Sequence, residues 1–262
     1  RSFSVHVSSD ILACMPPTTY LGDSSDGGDT SMATSTGFSG FSTELRDFLS
    51  ELAANNNKAW FDNHHETYRR ICLEASKDFV SALAPVMNKI APGIRVEPVV
   101  NGSIKRINRD IRFSPDKTPY RTALNFIFWE GAGKPKTSTA FHLRLGSSEL
   151  GLAAGHYKFE PTQLSAYRDA ATAAKSGGKL RRAVDDLVAA GFELHGQHYK
   201  RLPKGFDSDH ANADLLLHNG LVAGREEALP EAMFGPDAIS FCAERFRQLR
   251  PLQSWLVAAL KP

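Results

Sequence analysis

The 262 residues carry 31 Lys and Arg against 29 Asp and Glu, a formal charge of +2 with neutral histidines. That balance excludes nucleic-acid binding by bulk charge alone, and no apolar run approaches the ~18 residues of a membrane span. Three cysteines (Cys14, Cys72 and Cys242) lack metal-site spacing and, with no secretion signal, point to a reducing cytoplasmic setting.

Residues 1–36 are rich in Ser, Thr, Gly and Asp, with scattered apolar residues that cannot offset the entropy of ordering. They read as a tail that is either disordered or not native to the protein. Met32 opens a stretch that resembles a natural start. Leaving out Arg1 and the four aspartates of this tail raises the charge to +5. Residues 37–262 suit one domain.

Within that domain, Leu45, Phe48, Leu49 and Leu52 form an apolar stripe that predicts a helix over 44–54, with Thr43 as its cap. Asn57 can cap a second, longer helix over 58–90, with a kink or restart at Pro85. The period then shortens toward two, so 95–100 and 103–109 read as strands. Residues 113–120, with Pro115 and Pro119, read as a loop. The run 123–129 is apolar on both faces, as in a central strand. Residues 140–145 alternate like a half-buried strand, and 149–159 would be its hairpin partner.

Pro161 opens a helix to about residue 175, Gly177 and Gly178 separate it from another over 179–190, and Gly191 ends that one. Residues 196–206 read as irregular. Asp209 can cap a short helix to about residue 218, and 221–228 reads as an edge strand. A last helix starts near Pro236 and is kinked by Pro251. Helices at both ends of a run of strands predict an α+β fold with a mixed or mostly antiparallel sheet.

The distinctive chemistry lies in 101–122, NGSIKRINRDIRFSPDKTPYRT. Arg106, Arg109, Arg112, Lys117 and Arg121 crowd there against only Asp110 and Asp116, just before the apolar 123–129. Guanidinium forks bind carboxylate or phosphate, so these five are the candidate anion-binding residues. The alternative is an internal network satisfied by the protein's own carboxylates.

A second group lies in NNNKAWF–H–Y, where Trp60, His64 and Tyr68 recur every four residues and share a helix face. Asn56, Lys58 and Trp60 are the candidate pocket-lining residues; the plainer reading is core with hydrogen-bonded polar tips. His64, Tyr68, Tyr120 and Asp110 are the candidate proton-transfer groups, an imidazole being suited to that work near neutral pH. His195 with His198, and Asp207 with Asp209 and His210, supply ligand types without metal-site spacing, so no metal is assigned. GxGxxG, Walker A, GxSxG and RNA-binding aromatic motifs are absent, and no cofactor is indicated.

The segments GFSGF, NNNKAWF, RINRDIRFSPDKTPYRT, RLPKGFD and ERFRQLRPLQSWL together resemble the domain of unknown function 2461 family across about residues 37–260. The resemblance implies no activity, cofactor or substrate. It marks Asn56, Lys58, Trp60, Arg106, Arg109, Asp110, Arg112, Lys117, Tyr120 and Arg121 as the positions by which the family looks like itself. Two functions are carried forward. One is binding of an anionic small molecule, with or without catalysis. The other is a non-catalytic module docking nucleic acid or an acidic protein. Neither a membrane partner nor an oligomeric state is indicated.

Overall fold

The computed structural model describes residues 37–131 and 133–261; the tail expected over 1–36 lies outside them. The first apolar stripe forms helix α1 (Glu44–Ala54), burying Leu45, Phe48, Leu49 and Leu52. Thr43 precedes it without a side-chain cap; Ser42 Oγ accepts from Glu44 N at 3.2 Å instead. Asn57 does cap the next helix, its Oδ1 accepting from Trp60 N at 3.0 Å.

The single helix predicted over 58–90 is instead α2 (Lys58–Asn63), α3 (His65–Tyr68), a π-helical stretch (Arg69–Glu74) and α4 (Ala75–Ile90). Pro85 does not restart the chain as a new helix. It sits inside α4 on an exposed face, where the carbonyl that a proline leaves without an amide partner is open to solvation. The interruption falls near His64, where φ is −112° and ψ is 12°.

The middle of the chain builds an antiparallel sheet in the order β1-β2-β3-β4-β6-β5. Its strands are β1 (Ile94–Arg95), β2 (Leu124–Glu130), β3 (Ala140–Leu145), β4 (Glu149–His156), β5 (Glu193–Gln197) and β6 (His218–Ala228). With helices on both sides of it in sequence, the fold is α+β. The predicted β3–β4 hairpin is present, pairing Leu143 with Leu152.

Four strand expectations need correction. Only Ile94–Arg95 of the first strand forms, because a turn takes up the following backbone: Ser103 N donates to Glu97 O, and Asn101 adopts φ +67°. Residues 103–109 make isolated bridges, Ile104 to Phe126 and Asn108 to Tyr120, rather than a strand. β3 is buried on both faces, not half-buried, with His142 only 8% exposed. β6 is not an edge, since β5, which forms part of the stretch read as irregular, pairs along its outer side.

The helical C-terminal half also differs. α5 (Pro161–Thr172) ends at Ala173, and α6 (Ala174–Ala189) then runs straight through Gly177 and Gly178. Residues 209–218 give turns and a 3-10 turn, Leu215–Leu217, in place of the helix. α7 (Ala238–Ala259) continues through Pro251, which is exposed like Pro85. α4 and α7 cover one face of the sheet. Phe79 meets Phe126 at 5.1 Å, and Phe246 meets Phe128 at 5.9 Å and Phe141 at 5.3 Å, between ring centroids. Fully burying one such ring contributes on the order of 2–3 kcal/mol. Among the described residues, no helix is long and apolar enough to cross a membrane.

Candidate functional site

The basic stretch is a hairpin-like loop at the border of the sheet. Lys105 N donates to Asn125 O at 2.9 Å, tying the entrance of the loop to β2. Arg121 N to Ile107 O and Arg109 N to Pro119 O, both 2.8 Å, draw its two limbs together. The ring under this loop is Phe61, not one of the Trp60, His64 and Tyr68 face read from the sequence, which it meets through Tyr68. Tyr120, 6% exposed, stacks on Phe61 at 4.1 Å, and Phe61 in turn meets Tyr68 at 5.2 Å.

The pocket-lining candidates divide by role. Asn56 grips the Tyr120 backbone by a donor and an acceptor. Lys58 is exposed and pairs with Asp62 at 2.5 Å, which raises its pKa. Trp60 packs on Phe48 at 5.6 Å and lies flat against His64 at 4.0 Å.

The five cations do not form one uniform cluster. Arg109 Nη1 meets Asp116 Oδ2 at 2.5 Å and Thr118 O at 3.0 Å, and also contacts the Thr118 hydroxyl. Arg112 forks onto Asp110 through Nε at 2.9 Å and Nη2 at 2.7 Å. Lys117 Nζ caps the Ile111 carbonyl at 2.9 Å. Asp116 is exposed and Asp110 partly so, so solvent screens both pairs and they are weak holds, enough to shape the loop. Arg106, Lys117 and Arg121 have no carboxylate within ion-pair distance among the described residues. Arg121 is half-buried, and its Nε is buried without an acceptor.

The proton-transfer candidates are constrained. The hydrogen bond and charge of Arg112 hold the Asp110 carboxyl down at about 2, so it stays an anion near neutral pH. Burial pushes the Tyr68 phenol up to about 12. His64 places Nδ1 2.8 Å from Trp60 O, leaving Nε2 for other work. Among the described residues, no group of three or more His, Cys, Asp or Glu is gathered to hold a metal.

The sequence reading missed two residues here. Phe61 is the shelf on which Tyr120 stacks, and only its neighbour Trp60 had been singled out. Phe113, at the tip of the loop, is 75% exposed beside the Arg112 guanidinium, 5.7 Å from the ring centroid. A bare phenyl ring between two charged runs is the signal that could have marked it. A family model described as conserved hypothetical protein (DUF2461) matches residues 44–255. No curated protein matches the chain.

Proposed function

The chain belongs to the DUF2461 family of conserved hypothetical proteins, and from that premise we propose that the basic hairpin binds an anionic small molecule bearing phosphate or carboxylate. Arg121 is the observation that supports this reading. A half-buried guanidinium with a donor buried and unmet costs about 1–3 kcal/mol, more when charged, and an incoming oxyanion relieves that cost. Arg106 and Lys117 add positive charge with no carboxylate within ion-pair distance among the described residues, although Arg106 is close enough to help hold Asp110 as an anion. Arg109 and Arg112 hold their aspartates loosely enough to exchange them for a ligand. The reading is one of binding: Asp110 and Tyr68 are set far from neutral pH, which leaves His64 and Tyr120 of the four proton-transfer candidates. A cytoplasmic setting fits Cys72 and Cys242, both buried thiols.

Calorimetric titration with phosphate, sulfate and citrate at low salt tests the reading. Saturable binding that weakens about tenfold in Arg121→Ala, and falls also in the exposed-site variant Arg106→Ala, is the expected result. Heats that do not saturate, or that both variants leave unchanged, would remove the site.

Phe113 favours a second reading, in which the loop docks single-stranded nucleic acid and the ring stacks a base. Oligonucleotide binding that steepens with falling salt and is lost in Phe113→Ala would select it. Salt-independent or absent binding would discard it.

A further inference from the structure

A second concentration of cations lies in the segment HYKRLPKGF, residues 198–206, which the hairpin does not use. His198 N and Tyr199 N both donate to Leu217 O, at 3.0 and 2.9 Å, fixing this loop beside the start of β6. Beneath it, α5 is held by Tyr167, whose hydroxyl donates to Leu215 O at 2.9 Å and whose ring stacks on Phe159 at 4.6 Å. The next residue, Arg168, therefore has a fixed origin. Its guanidinium lies over the Tyr199 ring, 5.0 Å from the centroid.

Two of the three Arg168 nitrogens, Nε and Nη2, are buried without an acceptor, while Nη1 is not among the buried atoms. The contact with Tyr199 is worth about 0.5–2 kcal/mol and supplies no lone pair to these donors. Lys200, Arg201 and Lys204 are exposed on the loop above. None of these four cations has a carboxylate within ion-pair distance among the described residues. Of the acids on the flanking segments, Asp214 is taken by Arg181, and Asp207 accepts from Asp209 N. In contrast, Arg46, Arg69, Arg70, Arg181, Arg225 and Arg250 each have a carboxylate partner.

We propose that Arg168 and the loop above it form a second anion site, separate from the hairpin, that takes a phosphoryl group. The guanidinium fork grips two of its oxygens from below, and Lys200, Arg201 and Lys204 neutralise it from the solvent side. Tyr199 walls the fork and sets its plane.

The test is NMR of the arginine Nε–H signals during titration with inorganic phosphate and, separately, with a mononucleotide. The expected result is a saturable shift of the Arg168 signal and of the 199–204 amides. The apparent Kd should rise about tenfold in Arg168→Lys, which keeps the charge and loses the fork. Lys200→Ala with Arg201→Ala, both surface changes, should weaken binding without changing the melting temperature, which keeps the test valid if Arg168→Lys does not fold. A shift with phosphate alone limits the site to the free ion, and a tighter response to the nucleotide extends it to esters. An Arg168 signal that stays still, or shifts linearly without saturating, overturns the proposal.

Discussion

The side-chain amide of Asn56 and the backbone of Tyr120 form a reciprocal pair across 64 residues of sequence, Asn56 Nδ2 donating to Tyr120 O at 2.8 Å and Tyr120 N donating to Asn56 Oδ1 at 3.0 Å. An Asn side chain here plays the part of a neighbouring strand, and with the Phe61–Tyr120 stack it fixes the C-terminal limb of the basic hairpin onto the N-terminal helices. Asn56→Ala leaves a donor and an acceptor of Tyr120 without partners, for a loss of about 1–3 kcal/mol in urea denaturation. Amide exchange should accelerate over 105–121 while α7 stays protected. Equal acceleration in both would mean that the pair supports the whole fold and has no special hold on the loop.

Asp110→Asn separates a structural role of the loop's ion pairs from a ligand-binding one. The Asp110–Arg112 pair is screened by solvent on the Arg112 side, so its loss should change the urea denaturation midpoint little. If the hairpin is an anion seat, removing the negative charge of Asp110 leaves the loop more positive, and phosphate should bind more tightly in the variant than in the wild type. Weaker binding, measured by calorimetry, would show instead that Asp110 holds Arg112 in the position the ligand needs.

The elements legible in the sequence were those whose burial repeats over many residues. The Leu45–Leu52 stripe is of this kind; the β3–β4 hairpin was found too, although β3 is buried on both faces and its alternation did not mark a solvent side. Single punctuating residues misled. Pro85 and Pro251 lie on exposed helix faces, where a missing amide donor costs least, and Gly177 serves close packing instead of ending a helix. The charge of the hairpin was plain, but its pairing was not, since Arg109 meets Asp116 only once the limbs close. Asn56 shows the same limit: no local pattern announces a partner at Tyr120.

Acid should destabilise the protein through its buried histidines. Burial, with the charge of Lys105 adding to it, pushes His142 down from 6.5 to about 3, and burial pushes His156 down to about 4. The folded state thus binds fewer protons than the unfolded chain between these values and 6.5. Stability is complete above about pH 6.5 and falls as the pH drops toward 4 and then 3. For His156 the loss is on the order of 3 kcal/mol. Asp110 and Asp116, both held at about 2, contribute only in the lower window between 3.8 and 2. Chemical denaturation at pH 7.5, 5.5 and 4.5 should show the decline, and His156→Gln should remove about half of it, leaving the part due to His142. A profile that stays level to pH 4.5 would contradict this assignment.

Gly177 and Gly178 stand side by side in the second turn of α6, and helix propensity alone predicts that alanine stabilises either position by about 0.5–1 kcal/mol. The structure separates them. A Cβ at 177 would stand 2.2 Å from the Ala171 carbonyl oxygen and 3.0 Å from Asn212 Nδ2, the amide that bonds both Ala171 O and Gly177 O. Those contacts are backbone and a buried side chain, so neither can yield cheaply. At 178 nothing lies within 4 Å of the added carbon. Gly178→Ala should therefore raise the melting temperature slightly, while Gly177→Ala lowers it, with a loss of unfolding free energy typical of an overpacked site, about 1–3 kcal/mol. Equal effects of the two substitutions would mean that the turn between α5 and α6 is looser than the Asn212 bonds imply.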